Sequence, residues 1–393
     1  MESGNAAHVP DGWVERSLGE LCDVITDGTH HTPTYVPRGI PFFSVESVTN
    51  GEFVNVKHIS PEEHRRLISR CRPQRGDILM TRIGSLADTK LLDWDVEASI
   101  YVSLALLRPG PKIDGRYLYV FTKSRRFVKA VEDRSLLWAI PKKINMGDIA
   151  HVPICLPVDP SEQKRIADAV FTADEYVQRL SRLLVKKQQI AQGLAQQLLT
   201  GSTRLAGFSA PWGEARLGDV ARIKTGSRNN QDKTPSGPYP FFVRSANVER
   251  IDSYSYDCEA ILVPGEGGIG SIFHYIVGKF EAHQRVYVIN DFGDSVNGRF
   301  VFQYMKHYFG AHAMENSVKA TVDSLRLPTF KMFPLAVPEL AEQEAIARAL
   351  DDAGAEIRVL TERLTKARAV KVSLMQELLT GRTQLPVGTE EAK

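Results

Sequence analysis

Two stretches of this chain place apolar residues at alternating steps of three and four. The first runs through Val170, Ala173, Val177, Leu180, Leu184, Ala191, Leu194 and Leu198. The second runs through Leu350, Ala353, Ile357, Leu360, Leu364, Ala367, Leu374 and Leu378. Such a stripe, held over about four heptads, is the seam of a coiled coil, interrupted here only by Lys187 and Lys371. Asp159 stands at an N-cap position, Pro160 at the first helical position, and Glu162 where a capping box closes. Gly201 and Gly381 follow the last apolar residues as left-handed stops. About 40 residues at ~1.5 Å each predict rods of roughly 60 Å, and two of them in one chain are expected to pack on each other. Before each rod the pattern changes to short aromatic and β-branched runs punctuated by Gly, Pro and Asn, the signature of strands. Val152–Pro157 and Phe333–Pro338 are proline-bracketed examples.

The rods are copies. Glu162-Gln163 returns as Glu342-Gln343 and Leu198-Leu199-Thr200-Gly201 as Leu378-Leu379-Thr380-Gly381, each 180 positions on. About 17 of roughly 44 positions match across 162–205 and 342–385, far above chance, at a period much longer than solenoid repeats. The preceding segments match more weakly. Trp13, Leu18-Gly19 and Pro41-Phe42-Phe43 return as Trp212, Leu217-Gly218 and Pro240-Phe241-Phe242, all 199 positions on. Arg75-Gly76-Asp77-Ile78-Leu79 is echoed by Cys258-Glu259-Ala260-Ile261-Leu262. The expected fold class is α+β: two similar strand-rich α/β globules separated by two long helices. Its expected segments are a globule over 1–157, a rod over 158–205, a globule over 206–337, a rod over 338–386 and a tail over 387–393.

At 393 residues the chain suits two or three domains, and its 43% hydrophobic and 24% charged residues suit a soluble globular protein. No apolar run approaches a membrane span, and no secretory signal is visible. Four scattered cysteines form no CxxC pair, so a reduced, cytoplasmic protein without a zinc knuckle or disulfide framework is expected. The net charge of +2 neither demands nor forbids nucleic acid. If DNA is the partner, the positive charge is local or another subunit supplies it.

With both Glu-Gln starts and both Leu-Leu-Thr-Gly ends in place behind two related globules, the chain resembles the specificity subunits of type I restriction–modification enzymes. Pro157 with Ile166, Pro338 with Ile346, and an Ile-x-x-Val-Pro strand from Ile149 to Pro153 add to the likeness, which spans about 12–386. The resemblance implies that the globules are target recognition domains and that the rods form an antiparallel coiled coil spacing them. It implies double-stranded DNA and two methyltransferase subunits as partners, with motor–nuclease subunits joining for cleavage and no membrane. It also implies a non-catalytic chain without cofactors of its own, since S-adenosylmethionine, ATP and Mg would serve the partner subunits. Two related halves within one chain are free to diverge, so each is expected to read a different half of a bipartite target.

The motif content agrees with a non-catalytic role. There is no Pro-Pro dipeptide for an adenine methyltransferase motif and no Walker A sequence. Gly265, Gly267 and Gly270 spell GxGxxG, but the following Ser271–Val277 reads as a strand, so the motif is expected to turn between strands rather than cradle a dinucleotide. From Gly115 to Ser135, Tyr117, Phe121, Phe127 and Val131 recur at helical spacing, which predicts one amphipathic helix with a solvated basic face.

Candidate DNA contacts lie in loops dense with base-reading side chains. In the first half these are Thr29, His30, His31, Thr32, Tyr35 and Arg38, then Ser44, with Lys57, Arg82 and Lys90 nearby. For the two histidines the favoured reading is that of solvated loop residues. In the second half Arg228, Asn229, Asn230, Gln231 and Lys233 form one loop, and Arg244, Ser245 and Asn247 another. Arg clasps guanine and Asn or Gln clasps adenine in the major groove. Lys142, Lys143 and Lys319 are candidates for positioning phosphates. On the rods, Phe171, Tyr176, Ile190, Val359 and Val370 lie off the seam, and this surplus of apolar surface suggests helices from another chain. Two rival readings remain at this stage: a coiled-coil assembly or adaptor protein whose globules bind protein or glycan, and a nucleotide-dependent enzyme using Gly265–Gly270.

Overall fold

A computed structural model describes residues 9–268, 270–315 and 325–386. The chain divides into two compact units: residues up to Arg179 together with those from Leu364 onward, and Leu180–Arg363. Lys319 and the tail from 387 lie outside the described residues.

In the first unit a four-stranded antiparallel sheet runs in the order Cys22–Asp27, Leu104–Pro109, Ile78–Thr81, Thr89–Leu91. Ile78, Met80, Ala105 and Leu107 face one core, with Tyr117, Phe121 and Phe127 packed over them. Leu79, Leu104 and Leu106 face another, smaller one, so this sheet is apolar on both sides. A second sheet takes the order Tyr35–Val36, Lys57–Ile59, Ile40–Phe43, Ser99–Ile100, its last pair parallel. Trp13–Ser17 pairs antiparallel with Pro153–Pro157 beside them.

The second unit repeats this plan with its sheets fused. Arg222–Thr225, Val286–Asn290, Tyr256–Pro264, His274–Ala282, Tyr239–Phe242 and Val248–Ile251 form one six-stranded sheet. The long strand His274–Ala282 spans the places that Thr89–Leu91 and Ser99–Ile100 hold separately in the first unit, and its parallel contact with Phe242 matches that of Ile100 with Phe43. Gly213–Arg216 pairs with Pro334–Val337 as Trp13–Ser17 does with Pro153–Pro157. Connecting hydrogen bonds recur as well. Leu18 N–H donates to Val152 O and Leu217 N–H to Phe333 O, both at 2.9 Å.

The rods are the helices Pro160–Leu199 and Leu340–Leu378. Asp159 accepts the Ser161 N–H at 2.9 Å as a cap, and Gly201 and Gly381 adopt φ of 68° and 67° at the ends. Within each unit, part of one helix packs antiparallel against part of the other. In the first unit Ile166 and Val170 share a core with Leu378 and Leu379. In the second, Leu198 and Leu199 share one with Ile346 and Leu350. The two lysines that break the seam are neutralised across it: Lys187 pairs with Glu356 at 2.7 Å, and Lys371 pairs with Asp174.

The Glu-Gln repeat has a structural cause. Gln163 is buried, accepting from Asp114 N–H and donating to Pro157 O, both at 2.8 Å. Gln343 does the same with Asn297 N–H and Pro338 O at 2.8 Å, and also donates to Ser295 O at 2.9 Å. Asp114 and Asn297 each precede the first helix after the sheet, so one glutamine plugs each rod into its globule.

Three expectations need correction. Gly115–Ser135 is two helices, Gly115–Thr122 and Arg125–Asp133, because the Ser124 hydroxyl caps the second by accepting Phe127 N–H at 3.2 Å. Ile149 lies in a short helix, Met146–Ala150, and the strand starts only at Pro153. Phe171 is not surplus surface: its ring lies 6.0 Å from that of Tyr119, under the Arg116 guanidinium at 4.3 Å. Tyr176, Ile190, Val359 and Val370 are exposed, at 40%, 53%, 63% and 64%. No helix among the described residues is long and apolar enough to cross a membrane.

Candidate nucleic-acid interface

In both units the first strand of the main sheet runs into a loop pinned at the same place. Gly28 and Gly226 follow strands Cys22–Asp27 and Arg222–Thr225. A Cβ at either would collide with backbone, the Ile100 carbonyl in one unit and the Ala282 carbonyl in the other. Beyond them Thr29 N–H donates to Ile100 O at 3.0 Å, and Arg228 N–H to Ala282 O at 3.3 Å. The frame is common to both units, and the side chains it carries differ.

In the first unit the organising group is Asp27, 3% exposed. Its carboxylate accepts from Arg70 at 2.6 Å and Arg82 at 3.3 Å, and lies 3.0 Å from His30 Nε2. Arg82, expected as a DNA contact, is itself 8% exposed and donates to Val102 O at 2.8 Å and Ile144 O at 3.3 Å. Burial lowers its pKa and the Asp27 charge opposes that shift. Arg82 is therefore an internal pin, while Arg70 and His30 are held half-exposed. Thr29, His30 and His31 line a cleft of about 230 Å³ with Arg66 and Arg70. Thr32 Oγ1 lies 3.3 Å from the Tyr101 hydroxyl.

A second groove, about 440 Å³, brings together Tyr35, Ser44 and Lys57, with Asn50 and Asn55 beside them. Lys57 Nζ sits 4.7 Å from the Tyr35 ring centroid. Ser44 caps the helix Val45–Asn50 in a reciprocal box with Ser47. Arg38 is exposed between two strands of the small sheet. Lys90 joins neither cleft and lies 5.3 Å from the Trp94 ring centroid. Lys142 and Lys143 are exposed in a strap over the turn after Ile78–Thr81, where Gly84 N–H donates to Lys142 O at 2.8 Å.

In the second unit Glu281 plays the buried acid, fully inaccessible and accepting from Ser255 Oγ at 2.6 Å and Ala282 N–H at 3.0 Å. It holds Arg228, whose Nε is 3.4 Å away, while another Arg228 nitrogen donates to Ser253 Oγ at 3.1 Å. Asn229 accepts from Gln284 at 2.6 Å. Asn230 and Gln231 are exposed in the 3₁₀ turn Asn230–Asp232, and Lys233 pairs with Glu249 at 3.2 Å. Arg244 and Arg285 share Glu266 at 3.3 and 3.2 Å. Burial, then the charges of Arg244 and Arg285, depress the His283 pKa, so this imidazole is neutral near pH 7 in a cationic setting. Ser245 Oγ donates to Asn247 O at 3.0 Å, shaping that loop.

Arg228 and Asn229 are thus joined to Gln284, and Arg244 is joined through Glu266 to Arg285; sequence reasoning passed over both Gln284 and Arg285. Their signal was present as the polar run His283-Gln284-Arg285 between two β-branched strands. Its counterpart in the first unit is Tyr101-Val102-Ser103, an equivalent turn with different chemistry. Arg70, Asn50 and Asn55 were passed over too. Gly265, Gly267 and Gly270 lie between antiparallel strands, as expected, with Gly270 packed against Gly310 of helix Gly298–Glu315.

Comparison with known proteins gives one answer. The family model described as type I restriction modification DNA specificity domain matches twice, over residues 10–190 and 210–368. A stretch covering 43% of the chain is 29% identical to the type I restriction enzyme EcoDI specificity subunit of Escherichia coli, and spans only 37% of that relative. The putative MjaX specificity subunit of Methanocaldococcus jannaschii is 22% identical over 96% of the chain and 95% of its own length. Among solved structures, the S subunit of a type I restriction–modification system from M. genitalium shares the fold, at 14% identity, 99% coverage of both chains and a TM-score of 0.69. A structure reported for complex assembly and conformational transition of the type I R-M system covers 96% of this chain and 100% of its own, at 18% identity and a TM-score of 0.55. These findings favour DNA specificity over the adaptor reading. With both globules and most of both rods inside the matched residues, the chain belongs to the type I restriction–modification DNA specificity domain family.

Proposed function

We propose that this chain is the DNA sequence-recognition subunit of a cytoplasmic type I restriction–modification complex. Each globule reads one half of a bipartite, asymmetric target in duplex DNA. The observation that carries this reading is the pair of matching frames with unlike side chains: Thr29, His30 and Arg70 at one, Arg228, Asn229, Gln284 and Arg285 at the other. The near-neutral net charge fits localised contacts rather than a broad electrostatic grip.

The helices of 40 and 39 residues set the interval between the half-sites in this reading. Adding one heptad lengthens a helix by ~10 Å, about three base pairs. The exposed Tyr176, Ile190, Val359 and Val370 offer faces to two methyltransferase subunits, and motor–nuclease subunits join for cleavage. The chain itself is non-catalytic; S-adenosylmethionine, ATP and Mg serve the partners.

Exchanging residues 206–336 for the matching segment of another family member tests the reading. Methylome sequencing of cells carrying the chimera and its methyltransferase is expected to show one half-site changed and the other, with the interval, retained. Alteration of both half-sites would refute independent reading by the two globules.

A further inference from the structure

The first unit carries an apolar projection that its own fold does not use. Trp138 is 81% exposed, Ile140 99% and Leu137 48%, three large apolar side chains within four positions. Soluble surfaces scatter such residues singly, and a cluster of them marks a contact. The loop bearing them is fastened at its base. Leu136 N–H donates to Lys143 O at 2.7 Å, Ala139 N–H to Leu136 O at 3.1 Å, and Ile144 N–H to Arg82 O at 3.0 Å. Ile83 and Lys143 form an isolated bridge, which ties the loop to the turn after strand Ile78–Thr81.

Two observations decide what the projection meets. Lys142 and Lys143 follow the apolar tip after Pro141, and Arg134 stands three positions before it, all three exposed, so the tip has cations on both sides along the chain. The fastening also runs through Arg82, the pin that holds Asp27 and with it Arg70 and His30. Apolar tip, basic flanks and the candidate reading cleft therefore share one rigid support. A surface built for a protein helix has no need of that cationic rim. One that meets a polyanion and must slip an apolar side chain between its bases does.

We propose that the Leu137–Ile140 tip is a wedge that enters a groove of duplex DNA and stacks the Trp138 indole against bases at or beside the half-site read by the first globule, with Lys142 and Lys143 on the adjoining phosphates. The inference rests on the recognition reading above and deepens it. Architectural DNA-binding proteins insert apolar residues between base steps in this way, unstacking them locally. Sequence dependence then arises from the ease with which a given step opens, in addition to any base edge that is read.

The test uses the complex of the full chain with its methyltransferase subunit and a duplex containing the methylated site, with 2-aminopurine placed in turn at positions of the first half-site. Binding of the unaltered complex is expected to raise 2-aminopurine fluorescence at one step. W138A is expected to abolish that rise and weaken specific binding about ten- to a hundredfold, as loss of one aromatic–base stack does, with W138F close to the unaltered complex. Because Trp138 is almost fully exposed, assembly with the methyltransferase should be unchanged on size exclusion. A W138A complex that binds and unstacks the site like the original overturns the wedge while leaving recognition intact. Failure of W138A to assemble would instead make the loop a subunit-docking surface, and that also overturns it. An unaltered complex that selects no sequence sinks the recognition reading and the wedge together.

Discussion

Alanine in place of Arg82 is expected to destabilise the first unit by about 3–5 kcal/mol, the usual cost of removing one partner from a buried ion pair. Arg82 is enclosed, and its guanidinium meets Asp27, Val102 O and Ile144 O at once. Without it the two carbonyls lose their side-chain donor. The Asp27 carboxylate keeps only Arg70 and His30, whose side chains are 57% and 56% exposed and therefore partly hydrated. Lysine at this position would restore a charge but not the fork that reaches three acceptors, so R82K should recover only part of the loss. Adding D27N to R82A removes the stranded charge, and the double variant should be less destabilised than the sum of the singles. Denaturant unfolding of the four proteins measures this. Additive losses would show that Arg82 and Asp27 do not act as a pair. Amide exchange around Ile144 and Val102 should speed up in R82A if the pin holds those loops.

Gln343→Ala is expected to cost about 3 kcal/mol, and Gln163→Ala somewhat less. A buried polar group left without its partner costs about 1 kcal/mol or more. Removing the Gln343 amide strands Asn297 N–H, Ser295 O and Pro338 O, whereas Gln163 serves only Asp114 N–H and Pro157 O. Glutamate at 343 keeps an acceptor for Asn297 but loses both donations and buries a charge, so Q343E should be worse than Q343A. Chemical denaturation ranks the variants, and faster exchange of the Asn297 amide would place the damage at the plug. Equal, small losses for Q163A and Q343A would mean that water replaces the side chain.

The features legible in sequence are those written locally. Side-chain period reveals the rods, Asp159 and the two glycines mark their limits, and repeated residues at a constant offset expose the duplication. The GxGxxG stretch was read correctly because the residues after it alternate as a strand does. Where partners lie far apart along the chain, reasoning from pattern failed. Arg82 reads as a DNA-contacting cation because nothing nearby in the sequence announces that Asp27, 55 positions earlier, meets it inside the fold. Tyr117, Phe121, Phe127 and Val131 keep helical spacing across a break, and the Ser124 hydroxyl that ends the continuity looks like any other polar position. Glu-Gln was recognised as a repeat without its reason, since the glutamine's partners belong to loops up to 49 positions away. The candidate readers are scattered for the same cause. Arg70 and Asn50 come from separate connections of the first unit and line different clefts, and in the second unit Gln284 meets Asn229 from 55 positions away.

The last helix of the chain ends on its first strand. Gly381 packs against Trp13 and Pro10 in the first unit much as Gly201 packs against Trp212 in the second. The contact that joins a rod's end to a globule's first strand is thus made in both units, in one between near neighbours along the chain and in the other between residues more than 360 positions apart. Circular permutants should therefore fold: a gene opened between the exposed Ala206 and Gly207, with a short linker joining residue 386 to residue 9, retains both of these contacts. The order in which the two repeats follow one another along the chain is then separable from the contacts that join rod end to globule.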